Sequence, residues 1–234
     1  MADNETSACE LREISKSFGS RQVLDEVSLS FHAGEVVLLL GANGSGKSTL
    51  LHICAGLTRP DRGTVRFSEG ASTDRIGHVG HQLYLYGSLS VEENLRFFAS
   101  LYRSGSSARS LEEWRIAKYR SSKLNILSRG LQWRSALARC FLANPAHLLL
   151  DEPTSSLDQE SVSLLSERIA AFKAAKTGFC LVATHDLSRL FDLATRIVVL
   201  AEGKILADSA TLVGSTGWTT AREQVLDSYR ESNR

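Results

Sequence analysis

The chain has 234 residues, 23% charged and 43% hydrophobic, which is the balance of an ordinary globular protein with one sizeable core. Its formal net charge of +1 gives no global electrostatic case for nucleic acid or an acidic membrane surface. No apolar run approaches the ~20 residues a membrane helix needs, and the opening Met1-Ala2-Asp3-Asn4-Glu5 lacks an apolar core, so neither a spanning segment nor a signal peptide is expected.

The stretch Cys9 to Gly19 alternates weakly and predicts a strand running into a turn. Val27-Ser28-Leu29-Ser30-Phe31 alternates cleanly and predicts a half-exposed strand. Together they imply an antiparallel β layer. Phe18, just before the turn Gly19-Ser20, is placed either to stack on a purine base or to join the core. The four cysteines (Cys9, Cys54, Cys140, Cys180) are scattered with no C-x-x-C pair, which predicts reduced, buried thiols of a cytosolic chain.

Val36-Val37-Leu38-Leu39-Leu40 reads as a buried strand of a parallel sheet, and Leu50 to Ala55 as a helix. Between them lies Gly41-Ala42-Asn43-Gly44-Ser45-Gly46-Lys47-Ser48-Thr49, the G-x-x-x-x-G-K-[ST] pattern in the strand-to-helix context it needs. Gly41, Gly44 and Gly46 let the backbone curl so that N–H groups point at phosphate oxygens. Lys47 reaches the β- and γ-phosphates, and the Ser48 hydroxyl is suited to Mg²⁺. The helix N-terminus adds positive potential there. From average residue usage, chance produces this pattern in about one chain in a hundred of this length. This is a nucleoside triphosphate site.

Thr58 to Gly63 is turn chemistry, Thr64 to Phe67 a short strand, and Ile76 to Gln82 a strand with a glycine-loosened end. At Ser90 the period changes, and Glu93 three residues on completes a capping box, so a helix starts. Helical patterning continues to Leu142, broken by the serine-rich loop 104–107. A helical insertion in an α/β core is the simplest account. His147 to Leu150 returns to a buried strand ending in Asp151 and Glu152. Val162 to Ala175 predicts an amphipathic helix, Gly178 to Thr184 a strand ending at His185-Asp186, and Leu187 to Ala194 a helix. Arg196 to Leu200 is a strand, turning at Glu202-Gly203-Lys204 into Ile205 to Ala207. The tail from Thr211 to Arg234 is polar and predicts a loop and a short helix.

Phosphoanhydride hydrolysis needs charge neutralisation and an oriented water more than covalent chemistry. Asp151, at the C-terminal end of a sheet strand, is placed to bind Mg²⁺ directly or through water. Glu152 is placed to polarise the attacking water. His185, at a strand end in Ala-Thr-His-Asp, is positioned to contact the γ-phosphate.

Laid out in order, the motifs resemble the ATP-binding cassette (ABC) ATPases over nearly the full chain. Phe18 matches the adenine-stacking aromatic and Gly41 to Thr49 the Walker A loop. Gln82 matches the Q-loop glutamine, and Leu127-Ser128-Arg129-Gly130-Leu131-Gln132 the signature. Leu148 to Glu152 matches Walker B, Ser155-Ser156-Leu157-Asp158 the D-loop, and His185 the switch histidine. The resemblance implies a P-loop α/β core with a mostly parallel sheet, an antiparallel β layer and an inserted helical subdomain. It implies one nucleotide-binding unit over 1–234, with the insertion at 83–143 and a C-terminal tail at 209–234. ATP and Mg²⁺ are the implied cofactors, with Gln82 at the metal or its water. Ser128 and Gly130 are implied to meet the opposite subunit's γ-phosphate in a head-to-tail homodimer, and Asp158 is the D-loop aspartate. The signature departs from Leu-Ser-Gly-Gly-Gln at Arg129 and Leu131, and a plain helix cap explains Leu-Ser-Arg-Gly equally well.

No stretch of the sequence reads as a fused membrane domain, so the resemblance implies integral-membrane permease subunits as partners and an expected peripheral place on the cytoplasmic face of the inner membrane. Within the family, Gly77 to Tyr86, Leu89 to Leu95 and the Leu-Ser-Arg-Gly form look like the haem exporter ATP-binding subunit of cytochrome c maturation. His78 and His81 beside the Q-loop are not expected to bind haem. ATPases of lipid, polysaccharide or drug exporters, and a soluble regulatory ATPase, are the competing readings.

Overall fold

The computed structural model describes residues 7–68, 75–155, 157–185, 190–211 and 218–232. Two sheets face each other. In the first, β1 (Cys9–Phe18) pairs antiparallel with β2 (Arg21–Phe31) on one side and β4 (Arg62–Phe67) on the other. The expected antiparallel layer is present; β2 starts six residues earlier than alternation alone predicts, because pairing with β1 extends it.

The second sheet has the order β5-β6-β7-β3-β8-β9. Strands β3 (Val36–Leu40), β5 (Ile76–Val79), β6 (His147–Asp151), β7 (Cys180–Thr184) and β8 (Arg196–Ala201) run parallel, and β9 (Lys204–Asp208) returns antiparallel. Side chains alternate between the two faces with a period of two. Val36, Leu38, Leu40, Leu148, Leu150, Val182 and Val199 enter one core. There they meet α2 (Val91–Tyr102), α4 (Arg129–Leu142) and α5 (Gln159–Ala175). Val37, Leu39, Leu149, Leu181, Val198 and Leu200 enter the other, against α1 (Lys47–Cys54) and the antiparallel sheet. Both faces are buried, which is why these strands read as unbroken apolar runs. Each fully buried Leu or Val adds about 1.5–3 kcal/mol of transfer free energy.

Arg196 bridges the layers. Its guanidinium forks onto Asp208 of β9 and donates to the Ser30 carbonyl of β2 at 2.6 Å. Phe31 stacks on Phe179 between the sheets, with centroids 4.6 Å apart.

The segment between β5 and β6 is helical, as patterned. The capping box at Ser90 and Glu93 forms in full, and α3 (Ser107–Glu113) takes in the last residue of the predicted loop because Ser106 caps it. Helix α5 starts three residues earlier than predicted, at Gln159, because Asp158 supplies its cap. Of the helix expected over Leu187 to Ala194, residues 187–189 lie outside the described ones, as do Ser156 and Asp186. The described remainder is a single 3-10 turn at Phe191–Leu193. The tail departs most: Trp218–Ser232 forms a fifteen-residue helix, α6, that buries Ala221 and Val225 completely against β8 and β9. Its period was obscured by charged residues on the outer face. All four cysteines are free and buried, and burial pushes the Cys140 thiol up to about 12.

Among the described residues, the buried His147 and the partly buried His78 are held neutral. Burial, His52 and Arg139 hold His78 at about 4, and burial alone holds His147 at about 4, against 6.5 when solvated. Unfolding lets both take a proton below 6.5, so their stabilising contribution is complete above that pH and is lost as pH falls toward about 4. Each contributes a slope of up to about 1.4 kcal/mol per pH unit in that window. The urea midpoint should therefore drop between pH 6.5 and 4.5, and a flat midpoint would mean that these rings are solvated.

Candidate nucleotide site

The parallel register sets the site. Leu40 pairs with Thr184 and Asp151 with Ala183, so β3, β7 and β6 end side by side. The chain leaves them at Gly41, His185 and Glu152. Ligands of open parallel sheets sit at this carboxyl edge.

The phosphate loop closes tightly. Gly46, which precedes α1, has φ +109°, and a Cβ there would lie 2.7 Å from the Val23 carbonyl oxygen. A Cβ on Gly41 would lie 2.3 Å from the Leu200 carbonyl oxygen. These glycines are required for room as well as for curl. No side chain caps the start of α1, so its first N–H groups remain directed at the loop. Lys47 is almost wholly buried and donates to the carbonyls of Gly41 at 2.7 Å and Ala42 at 3.0 Å. Burial lowers its pKa, while the charges of Glu152 and Asp151 pull it the other way.

A cleft of about 240 Å³ runs from Asn43 and Ser48 past Lys47 to Asp151 and Glu152. Asp151 is 3% exposed, and among the described residues its Oδ1 has no hydrogen-bond partner. A buried carboxylate oxygen left so is costly unless a cation or donor meets it. With the exposed Ser48 hydroxyl on the same cleft, this donor set fits a hard divalent cation. Glu152 has φ +50°, a conformation costing about 1–2 kcal/mol for a residue with a Cβ. It is held there by its N–H on the Ala183 carbonyl at 2.8 Å, by Thr184 Oγ1 donating to Oε2 at 3.2 Å, and by His185 Nδ1 at 2.9 Å from Oε1.

The structure thus brings together Lys47, Ser48, Asp151, Glu152 and His185. Other expected residues stand apart. Gln82 is exposed, three residues beyond β5, and the cleft wall there is His81. Phe18 ends β1 with 56% exposure, under the Lys16 ammonium, while Arg21 and Val23 form the adjacent wall. Ser128 is exposed and caps α4, accepting from the Leu131 N–H at 3.4 Å, and Gly130 sits in the first turn. Asp158 caps α5 by accepting from the Ser161 N–H at 2.8 Å. Hydrogen bonds from Ser161 hold its carboxyl below the usual range, with Arg134 of α4 3.2 Å away.

Three further residues matter that sequence reasoning missed. Asn94 is fully buried and holds the loop before α2 through the Tyr86 N–H and the Tyr86 and Ser90 carbonyls. Its signal was a lone polar residue in the apolar stripe Val91, Leu95, Phe98. His81 and Arg21 carried no local signal. Arg129, noted only as a departure, donates to the His81 carbonyl at 3.1 Å.

A phosphate loop facing an Asp-Glu pair along the carboxyl edge of one parallel sheet, with β7 between them, defines a P-loop nucleoside triphosphatase. Residues 24–155 match the family model described as ABC transporter, and the chain belongs to this family as an ATP-binding subunit and ATPase. A Chlorella vulgaris protein named for sulfate/thiosulfate import is 37% identical over 208 residues, covering 84% of this chain and 88% of that one. A Staphylococcus haemolyticus protein named for hemin import is 32% identical over 219 residues, covering 85% and 99%. A dimeric ATP-binding cassette solved in a post-hydrolysis state with ADP and Pi superposes with a TM-score of 0.75 at 26% identity, covering 86% and 97%.

Gly46→Ala should weaken ATP binding at least about tenfold, since strain of this kind costs on the order of 1–3 kcal/mol at the loop that contacts phosphate. Equilibrium binding of a fluorescent ATP analogue measures it, and unchanged affinity would show that the loop yields.

Proposed function

We propose that this ATPase works as a dimer on membrane-spanning partner subunits and drives haem export or haem-chaperone release in c-type cytochrome maturation. The observation that carries the catalytic part is the cleft-facing Glu152, clamped by His185 and Thr184 beside the buried Lys47. Glu152 polarises the attacking water, His185 contacts the γ-phosphate, and Gly41 to Thr49 cradle the phosphates. Ser48 and Asp151 would hold Mg²⁺, with Gln82 joining from its exposed position outside the cleft wall, and the ion would supply neutralisation of phosphate charge. Phe18, open to solvent, offers a face to the adenine.

Ser128 and Gly130 at the exposed start of α4 suit a phosphate from a second copy, with Asp158 at the same seam, and the dimeric relative supports that arrangement. Near Gln82, Tyr84, Tyr86 and Phe97 are exposed, and Tyr86 and Phe97 pack edge to face at 5.2 Å. Leu83 is core and Leu85 half-buried, so the exposed aromatic trio is the apolar surface for a membrane subunit. Among the described residues no helix is long and apolar enough to cross a membrane, in keeping with a peripheral subunit on the cytoplasmic face.

The cargo reading rests on the stretches around Gln82, Ser90 and Ser128. The relatives' names point to different cargoes and to import, so another transporter branch is the second reading. His78 packs inward against His52 and Tyr84, and the haem reading assigns it no ligand role.

Glu152→Gln should keep ATP affinity, lose at least about a hundredfold in turnover and accumulate dimer in ATP on a sizing column. Turnover at the normal rate would remove Glu152 from its role. Affinity purification from mildly solubilised membranes addresses the cargo. Cytochrome c maturation subunits in the eluate would support haem export, another permease would overturn it, and no membrane protein at all would favour a regulatory ATPase.

A further inference from the structure

Helix α6 packs on β8 and β9 and reaches the nucleotide site at His185. Arg222, Val225 and Tyr229 are spaced by three and four residues and so share one helix face. Val225 anchors that face at 0% exposure. The Tyr229 hydroxyl donates to the His185 carbonyl at 3.1 Å, and the Arg222 guanidinium lies 3.3 Å from the Phe191 ring centroid. One helix face therefore grips the chain at His185, immediately after β7, and again at Phe191. The His185 side chain is 54% exposed, so packing around its own ring does not fix it. Among the described residues, the Glu152 carboxylate holds its ring and Tyr229 holds its backbone.

We propose that Tyr229 is a positioning residue for His185, and that α6 braces the histidine against Glu152. The proposal rests on the reading of His185 and Glu152 as catalytic. A shift of the His185 backbone would carry its Cβ, and with it the Nδ1 that meets Glu152. The Tyr229 bond removes that freedom without touching the phosphate loop. Its loss should thus lower the fraction of molecules with the pair aligned, leaving nucleotide binding alone.

Tyr229→Phe deletes only the hydroxyl. In the full-length protein it should lower kcat about three- to tenfold, the range of one hydrogen bond, with the KM for ATP within about twofold and the melting temperature nearly unchanged. The imidazole NMR signals of His185, identified by their absence in His185→Ala, should shift or broaden in Tyr229→Phe. Wild-type kcat, or His185 signals that do not move, would overturn the proposal and leave Tyr229 as a fastening of α6 alone. His185→Ala separates the two ideas: if it turns over normally, the reading of His185 itself is wrong. If it is inactive while Tyr229→Phe is normal, only the brace is.

Discussion

The register of β3, β7 and β6 is the constraint on which the rest of the structure depends. Three five-residue strands, buried on both faces, end level with one another, and each delivers a different chemical part at its end: a glycine loop, a histidine and a carboxylate pair. None of these parts is near another in sequence. A slip of one residue in β7 would exchange its two faces between the cores and displace His185 from Glu152 together. Core packing and catalytic geometry are therefore specified by the same backbone hydrogen bonds.

The helical insertion is tied to this frame by arginines of α4. Arg139, packed under Phe98, donates to the His78 carbonyl at the end of β5, and Arg134 donates to Ser161 and Asp158 at the start of α5. Arg129 reaches the next turn of chain at His81. Guanidinium groups suit this work, since a planar fork satisfies several acceptors while its stem fills apolar space. One short helix thus touches the strand end, the cleft wall and the cap of the following helix.

Much of this was legible in the sequence where residue type and local context coincide. The unbroken runs Val36 to Leu40 and His147 to Leu150, the glycine loop and the Ser90 capping box each express their structural reason within a few residues. The antiparallel layer was legible from Val27 to Phe31, but its full extent was not, because pairing with β1 lengthens β2. The tail helix was expected to be short because, among its described side chains, Ala221 and Val225 are the only fully buried ones and charged neighbours mask the period. The places of His81 and Arg21 on the cleft were not legible for another reason: they are facts of three-dimensional assembly, and neither residue sits in a pattern that demands them. Phe18 and Gln82, chosen by motif, lie outside the cleft wall.

The two glycine contacts described above also make the phosphate loop a gauge of the spacing between the sheets. Gly46 abuts the backbone of β2 and Gly41 the backbone of β8, while Arg196 spans from β8 to β2 elsewhere and the Phe31–Phe179 stack separates the layers. Enlarging a side chain in that interlayer would do more than strain the core. It would shift the layers where Gly41 and Gly46 leave no room for a Cβ, so a change of interior volume would be felt at the phosphate-binding loop.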